Sequence, residues 1–86
     1  MTALDELRRR LAVLDPVRHD IVDDSAKHAG HASAGQGAHF RVNIVSPKFA
    51  GLGTMARHRL VYDAVGDLMT NGAIHALSIA ATPPPD

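Results

Sequence analysis

Cysteine and tryptophan are absent from this 86-residue chain, which has one tyrosine and two phenylalanines. Without cysteine there is no disulfide, no thiolate nucleophile and no all-cysteine metal site. An excess of either charge is also missing, since nine Lys and Arg balance nine Asp and Glu. Phosphate neutralisation dominates nucleic-acid binding, so a neutral chain counts against that class. No apolar run approaches the roughly 18 residues of a membrane span, and the N-terminus lacks a long apolar stretch. A soluble cytoplasmic protein with no membrane partner is expected. Signatures such as His-Glu-x-x-His are missing, and no serine or carboxylate stands beside a histidine at a recognisable motif spacing. No catalytic residue is assigned, and the chain is expected not to be an enzyme.

What is present in unusual measure is histidine, six in all. Imidazole titrates near neutral pH and is the commonest neutral nitrogen ligand for metals. A chain rich in imidazole and devoid of thiol can complete a metal site but is poorly equipped to own one. Its size points the same way. One domain of this length has a radius of gyration of about 12 Å. It buries roughly 60–65% of its unfolded surface, which leaves no room for an internal active-site cavity. Binding at the surface is expected.

Thr2 is a plausible N-cap, with Asp5 and Glu6 in the first turn. Leu4, Leu7, Leu11 and Leu14 then recur at helical spacing, an apolar stripe read as core. Asp15-Pro16 ends that helix. Val17 to Asp24 reads as a half-exposed strand. Ser25 to Ala38, a run of Ala, Gly, Ser and His without periodicity, reads as a flexible loop. From His39 to Val45 the pattern alternates, placing Phe40, Val42 and Ile44 on one strand face. Phe49 to Thr54 is a glycine-punctuated turn. Leu60, Val61, Ala64, Val65 and Leu68 form a second helical stripe with Met69 at its edge. Asn71-Gly72, two residues that tolerate the left-handed conformation, closes it. Ile74 to Ala81 is a last apolar strand.

Residues 1–82 therefore make one domain, and 83–86 a proline-rich tail expected to be disordered. The element order is helix, strand, strand, short turn, helix, strand. It predicts an α+β two-layer sandwich of helices on a three-stranded sheet. Strand parity places His75 on the face of Leu77 and Ile79, at the rim of the core.

Several segments resemble one known family. They are His28-Ala29-Gly30-His31-Ala32, His39-Phe40-Arg41-Val42, Val45-Ser46 ahead of Phe49 and Gly51, Arg57-His58-Arg59-Leu60-Val61-Tyr62 and Ile74-His75-Ala76-Leu77. Together they are similar to the BolA pattern from about Asp5 to Pro83. The resemblance implies a fold akin to the type II KH domain. It also implies partnership with a monothiol glutaredoxin through a shared [2Fe–2S] cluster. In that arrangement the glutaredoxin supplies one thiolate and bound glutathione another. The BolA-like partner supplies a histidine from the last strand and a second ligand from the loop before the second strand. On this chain those positions are His75 and, by the Gly-His-Ala motif, His31, with His39 the competing candidate. No cofactor is expected in the isolated protein, which is read as a monomer or weak homodimer. Imidazole in place of thiolate raises a cluster's reduction potential. Histidine must also be neutral to ligate, so binding should weaken below about pH 6.5.

Other residues carry plainer readings. His19 and His28 are read as exposed and without a role. His58, between two arginines, is read as structural, bonding across to the loop or sheet. Tyr62 and Phe49 are read as core or subcore packing. Arg57 and Arg59 at the helix start, with Arg41 and Lys48 on neighbouring elements, are candidates for one positive patch facing glutathione, a partner's acidic surface or phosphate. The alternative function is a KH-like transcriptional regulator that binds DNA. Against it, the turn Gly51-Leu52-Gly53-Thr54 departs from the Gly-x-x-Gly grip of KH domains.

Overall fold

Thr2 starts the first helix by a reciprocal cap. Its hydroxyl accepts from the Asp5 amide at 3.1 Å, and the Asp5 carboxylate accepts from the Thr2 amide at 3.2 Å. The Thr2 backbone bond, reinforced by its hydroxyl, holds the Asp5 carboxyl below the usual aspartate range. In the computed structural model, which describes residues 2–24 and 38–85, this helix is α1, Ala3–Leu11, prolonged by a 3₁₀ turn at Ala12–Leu14. Leu7, Leu11 and Leu14 are buried and Leu4 partly so, as the stripe requires. Asp15 then takes a left-handed conformation (φ 48°) before Pro16, and the helix stops there.

Three strands follow: β1 at Arg18–Asp23, β2 at Ala38–Val45 and β3 at Ile74–Thr82. β2 lies in the middle, antiparallel to β1 and parallel to β3. A parallel neighbour needs a crossover. Here it consists of a 3₁₀ turn at Pro47–Phe49 and α2 at Thr54–Thr70. The expected order of elements and the two-layer α+β architecture are both present.

The core is the layer between helices and sheet. It joins Leu7 and Leu11 of α1, Val61, Val65 and Leu68 of α2, Phe40, Val42 and Ile44 of β2, and Phe49 of the turn. Ser46 is the one buried polar side chain among the described residues. Its hydroxyl donates to the Leu14 carbonyl at 2.5 Å and accepts from the Lys48 amide at 3.1 Å, tying the end of α1 to the crossover. The Arg10 guanidinium grips both oxygens of Asp67 and so clamps α1 to α2. That bond raises the arginine's pKa and lowers the aspartate's.

Two local expectations change. Only Gly72 is left-handed after α2 (φ 83°). Asn71 stays right-handed and uses its side-chain oxygen to accept from the Ala73 amide at 2.8 Å. Tyr62 is 41% exposed, because it stands next to Val61 on α2 and a helix turns about 100° per residue. Phe49 is fully buried, as expected. In the tail, Pro83 and Pro84 are half-buried and share a recess with Pro47, Ala50 and Gly51.

Candidate histidine site

Alternation along β2 sorts its side chains onto two faces. Phe40, Val42 and Ile44 enter the core, while Arg41 and Asn43 are exposed on the face without helices. By the same parity His39 belongs to the open face. Its position is pinned by the Asp24 amide, which donates to the His39 carbonyl at 2.7 Å.

Across the ladder, strict alternation on β3 fails at one place. Ala38 pairs with Ile74, whereas His39 pairs with Ala76, so one extra residue of β3 is accommodated there. That residue is His75. The irregularity lets Ile74 sink into the core at 1% exposure, although Leu77 and Ile79 are also on the core side. The parity argument placed His75 with Leu77 and Ile79, and it is overturned: Ile74 takes the core position and His75 is exposed. Bulges commonly re-aim a side chain in this way.

The re-aimed ring meets His39. The two imidazole centres are 5.0 Å apart with their planes tilted by 49°. His39 is half-buried, with its Nε2 closed off from solvent, and His75 is the more open of the two. The pair thus sets two imidazole rings side by side. Among the described residues no group of three or more His, Cys, Asp or Glu comes together. His31 and His28 lie outside the described residues.

The remaining candidates do not converge. Arg41 is on the open sheet face, held by Asp24 at 2.6 Å, a bond that raises its pKa. Lys48 reaches the Val13 carbonyl at 3.3 Å and lies 3.5 Å from Asp15. Arg57 donates to the carbonyls of Leu52 at 2.8 Å and Ala81 at 3.3 Å, a structural bracket between α2 and β3. Arg59 is exposed on α2. The single positive patch expected of Arg41, Lys48, Arg57 and Arg59 is thus dispersed, because sequence proximity does not say which carboxylate or carbonyl each cation finds. His58 also departs from expectation. Among the described residues it makes no hydrogen bond to loop or sheet, and it shares a surface recess with Met55, Arg59 and Tyr62. What the sequence reading missed is the bulge, whose only local trace is an apolar Ile74 one residue before the histidine.

Comparison with known proteins gives a consistent picture. Residues 11–86 match the model of the family described as BolA-like protein. SufE-like protein 1 of Arabidopsis thaliana, named as chloroplastic/mitochondrial, is 47% identical over 77 residues, covering 83% of this chain and 20% of that protein. A BolA-like protein of Dictyostelium discoideum is 39% identical over 71 residues, covering 83% and 60%. This chain therefore spans only part of the length of these relatives. Among solved structures, BolA1 from Arabidopsis thaliana superposes with a TM-score of 0.81 at 36% identity, covering 98% of this chain and 94% of that one. The BolA domain of SufE1 from the same plant gives 0.80 at 43% identity, covering 93% and 90%. No helix among the described residues is long and apolar enough to cross a membrane.

Proposed function

The chain belongs to the BolA-like family, and on that premise we propose that it is a non-enzymatic iron–sulfur partner whose His75 and His39 complete a [2Fe–2S] cluster shared with a monothiol glutaredoxin and its glutathione. The observation that supports the reading is the close approach of these two rings. Their spacing fits the task. Two imidazoles on one tetrahedral ion, with metal–nitrogen bonds of about 2.1 Å, have ring centres roughly 5 Å apart. Here the ring centres are 5.0 Å apart. The second ligand is taken here as His39, the ring beside His75, with His31 the competing candidate outside the described residues.

In this reading the chain's own work is orientation. The β2 ladder and the Asp24 amide hold His39, and the bulge turns His75 toward it. When bound, the cluster supplies one-electron chemistry at a potential that imidazole ligands raise. Ligating imidazoles must be deprotonated, so the shared complex weakens in acid. The isolated chain carries no cluster, and the working compartment is the cytoplasm; transfer or sensing of the cluster is its use.

The test is to mix the protein with a monothiol glutaredoxin, iron, sulfide and glutathione. The visible spectrum should shift relative to glutaredoxin alone. His75→Ala and His39→Ala should each abolish the shift while unfolding in urea within about 0.5 kcal/mol of wild type, as exposed or half-exposed substitutions do. His31→Ala should retain it. An unchanged spectrum with the wild-type chain overturns the proposal, and loss in His31→Ala but not His39→Ala reassigns the second ligand.

A further inference from the structure

His39 occupies a weak point of the sheet on both sides. Toward β1, the Asp24 amide donates to its carbonyl at 2.7 Å, continuing the register in which Asp23 faces Phe40. Among the described residues that is the last backbone rung between β1 and β2, and terminal rungs open most readily. Toward β3, the register slips between Ala38 and His39, and a bulge disrupts the ladder locally. Yet a binding constellation must be held within about 0.5 Å of its productive geometry. The backbone bonds at this position are the ones least able to do that.

A side-chain bond spans the terminal rung as well. Arg41 follows His39 by two residues, and strand parity puts both on the side without helices. Its guanidinium donates to both oxygens of Asp24, from Nε at 2.6 Å and from Nη2 at 3.2 Å. Asp24 stands opposite His39, so the bond runs diagonally across the rung, a reach that long side chains make between strands. A forked arginine–carboxylate bond fixes direction as well as distance. The Asp24 side chain is 15% exposed, which keeps off much of the water that would compete for the bond. The other ion pair of this sheet, Arg18 with Asp20 at 3.1 Å, joins two residues of one strand and spans no rung.

We propose that Asp24 and Arg41 are positioning residues for the histidine pair: their ion pair clamps the rung opposite His39 and fixes its ring beside that of His75. The proposal rests on the histidine-ligand reading for the use of this geometry, whereas the clamp itself acts in the isolated chain. Arg41 then serves to hold a neighbouring ring, a task different from the anion contact expected of it.

The test uses the isolated chain, labelled with ¹³C and ¹⁵N and free of metal. Ring protons of His75 report the neighbouring imidazole, and His39→Ala gives their shifts without it. Arg41→Gln and Asp24→Asn should each carry those shifts at least half of the way to the His39→Ala values. Protection of the residue-24 amide against exchange should fall about tenfold. The urea midpoint should move by less than about 1 M, since exposed ion pairs contribute little to global stability. The double variant Asp24→Arg/Arg41→Asp, which reverses the pair, should recover the wild-type shifts, and Arg18→Gln should leave them unchanged. Wild-type His75 shifts in Arg41→Gln, or an equal displacement in Arg18→Gln, overturn the proposal. The comparison of these two single variants decides it even if the reversed pair fails to fold. Unchanged His75 signals in His39→Ala also overturn it. An unchanged visible spectrum when the wild-type chain meets glutaredoxin removes the ligand reading alone, because the clamp is read without a cluster.

Discussion

The two faces of the central strand differ by one residue and do opposite work. Phe40, Val42 and Ile44 point into the helices and are at most 3% exposed. Arg41 and Asn43, between them, stand on open surface beside Ser78 and Ala80. The inner set holds the fold because burying each apolar side chain removes it from water, worth about 1.5–3 kcal/mol apiece. The outer set is under no such demand, which leaves it available for ligands and partners. β2 serves both because strand side chains alternate with a period of two. Where the chain needs one more residue on the outer face, it breaks the period on β3 with a bulge instead.

This division can be broken or sharpened by measurement. The largest effect should come from Phe40→Ala, which removes a core aromatic and leaves a cavity. It should cost about 3–5 kcal/mol in urea unfolding, against less than about 0.5 for Asn43→Ala, three residues on and on the opposite face. Similar losses for the two would erase the distinction between faces.

Ser46→Ala tests whether the core layer depends on a polar tie. It leaves the Leu14 carbonyl without its buried donor and the Lys48 amide without its acceptor. A loss of about 1–3 kcal/mol is expected, and Ser46→Cys should not restore it, since a thiol is a weak donor. No loss would mean that apolar packing alone holds α1 to the crossover.

The smallest effect concerns the exposed Arg10–Asp67 clamp. Arg10 lowers the pKa of Asp67 in the folded chain relative to the unfolded one. The sign follows directly. The clamp's contribution is present above the ordinary aspartate value and is lost as pH falls through the lower folded value. Asp67→Asn should therefore flatten the pH dependence of stability below about pH 4. An acid profile identical to wild type would show that the bond contributes nothing measurable.

Much of this architecture was legible in the residues. Leu7, Leu11 and Leu14 announced one face of α1, and the Phe40-x-Val42-x-Ile44 alternation announced β2, because both patterns follow from the local geometry of a single element. The misplaced residues depend on more than one element. Counting along β3 alone puts His75 with Leu77 and Ile79, but its facing is decided by how β3 registers against Ala38 and His39. Arg41, Lys48 and Arg57 looked alike as cations and were told apart only by what each reaches: Asp24, Asp15 with the Val13 carbonyl, and the Leu52 and Ala81 carbonyls. Tyr62 needs only its own element, since helical phase from the buried Val61 and Val65 points it outward. The pairing of His39 with His75 was not readable at all without the ladder.

Arg57 has one more effect. β3 is an edge strand of nine residues without a charged side chain, the kind of edge on which another chain can polymerise. Successive carbonyls along a strand face opposite edges. The Thr82 carbonyl accepts from the Ser46 amide just past β2, so the Ala81 carbonyl faces outward. There the Arg57 guanidinium meets it. One end of the vulnerable edge is thus stoppered by a cation from the chain's own helix, which guards against fibrillar growth at the strand that carries His75.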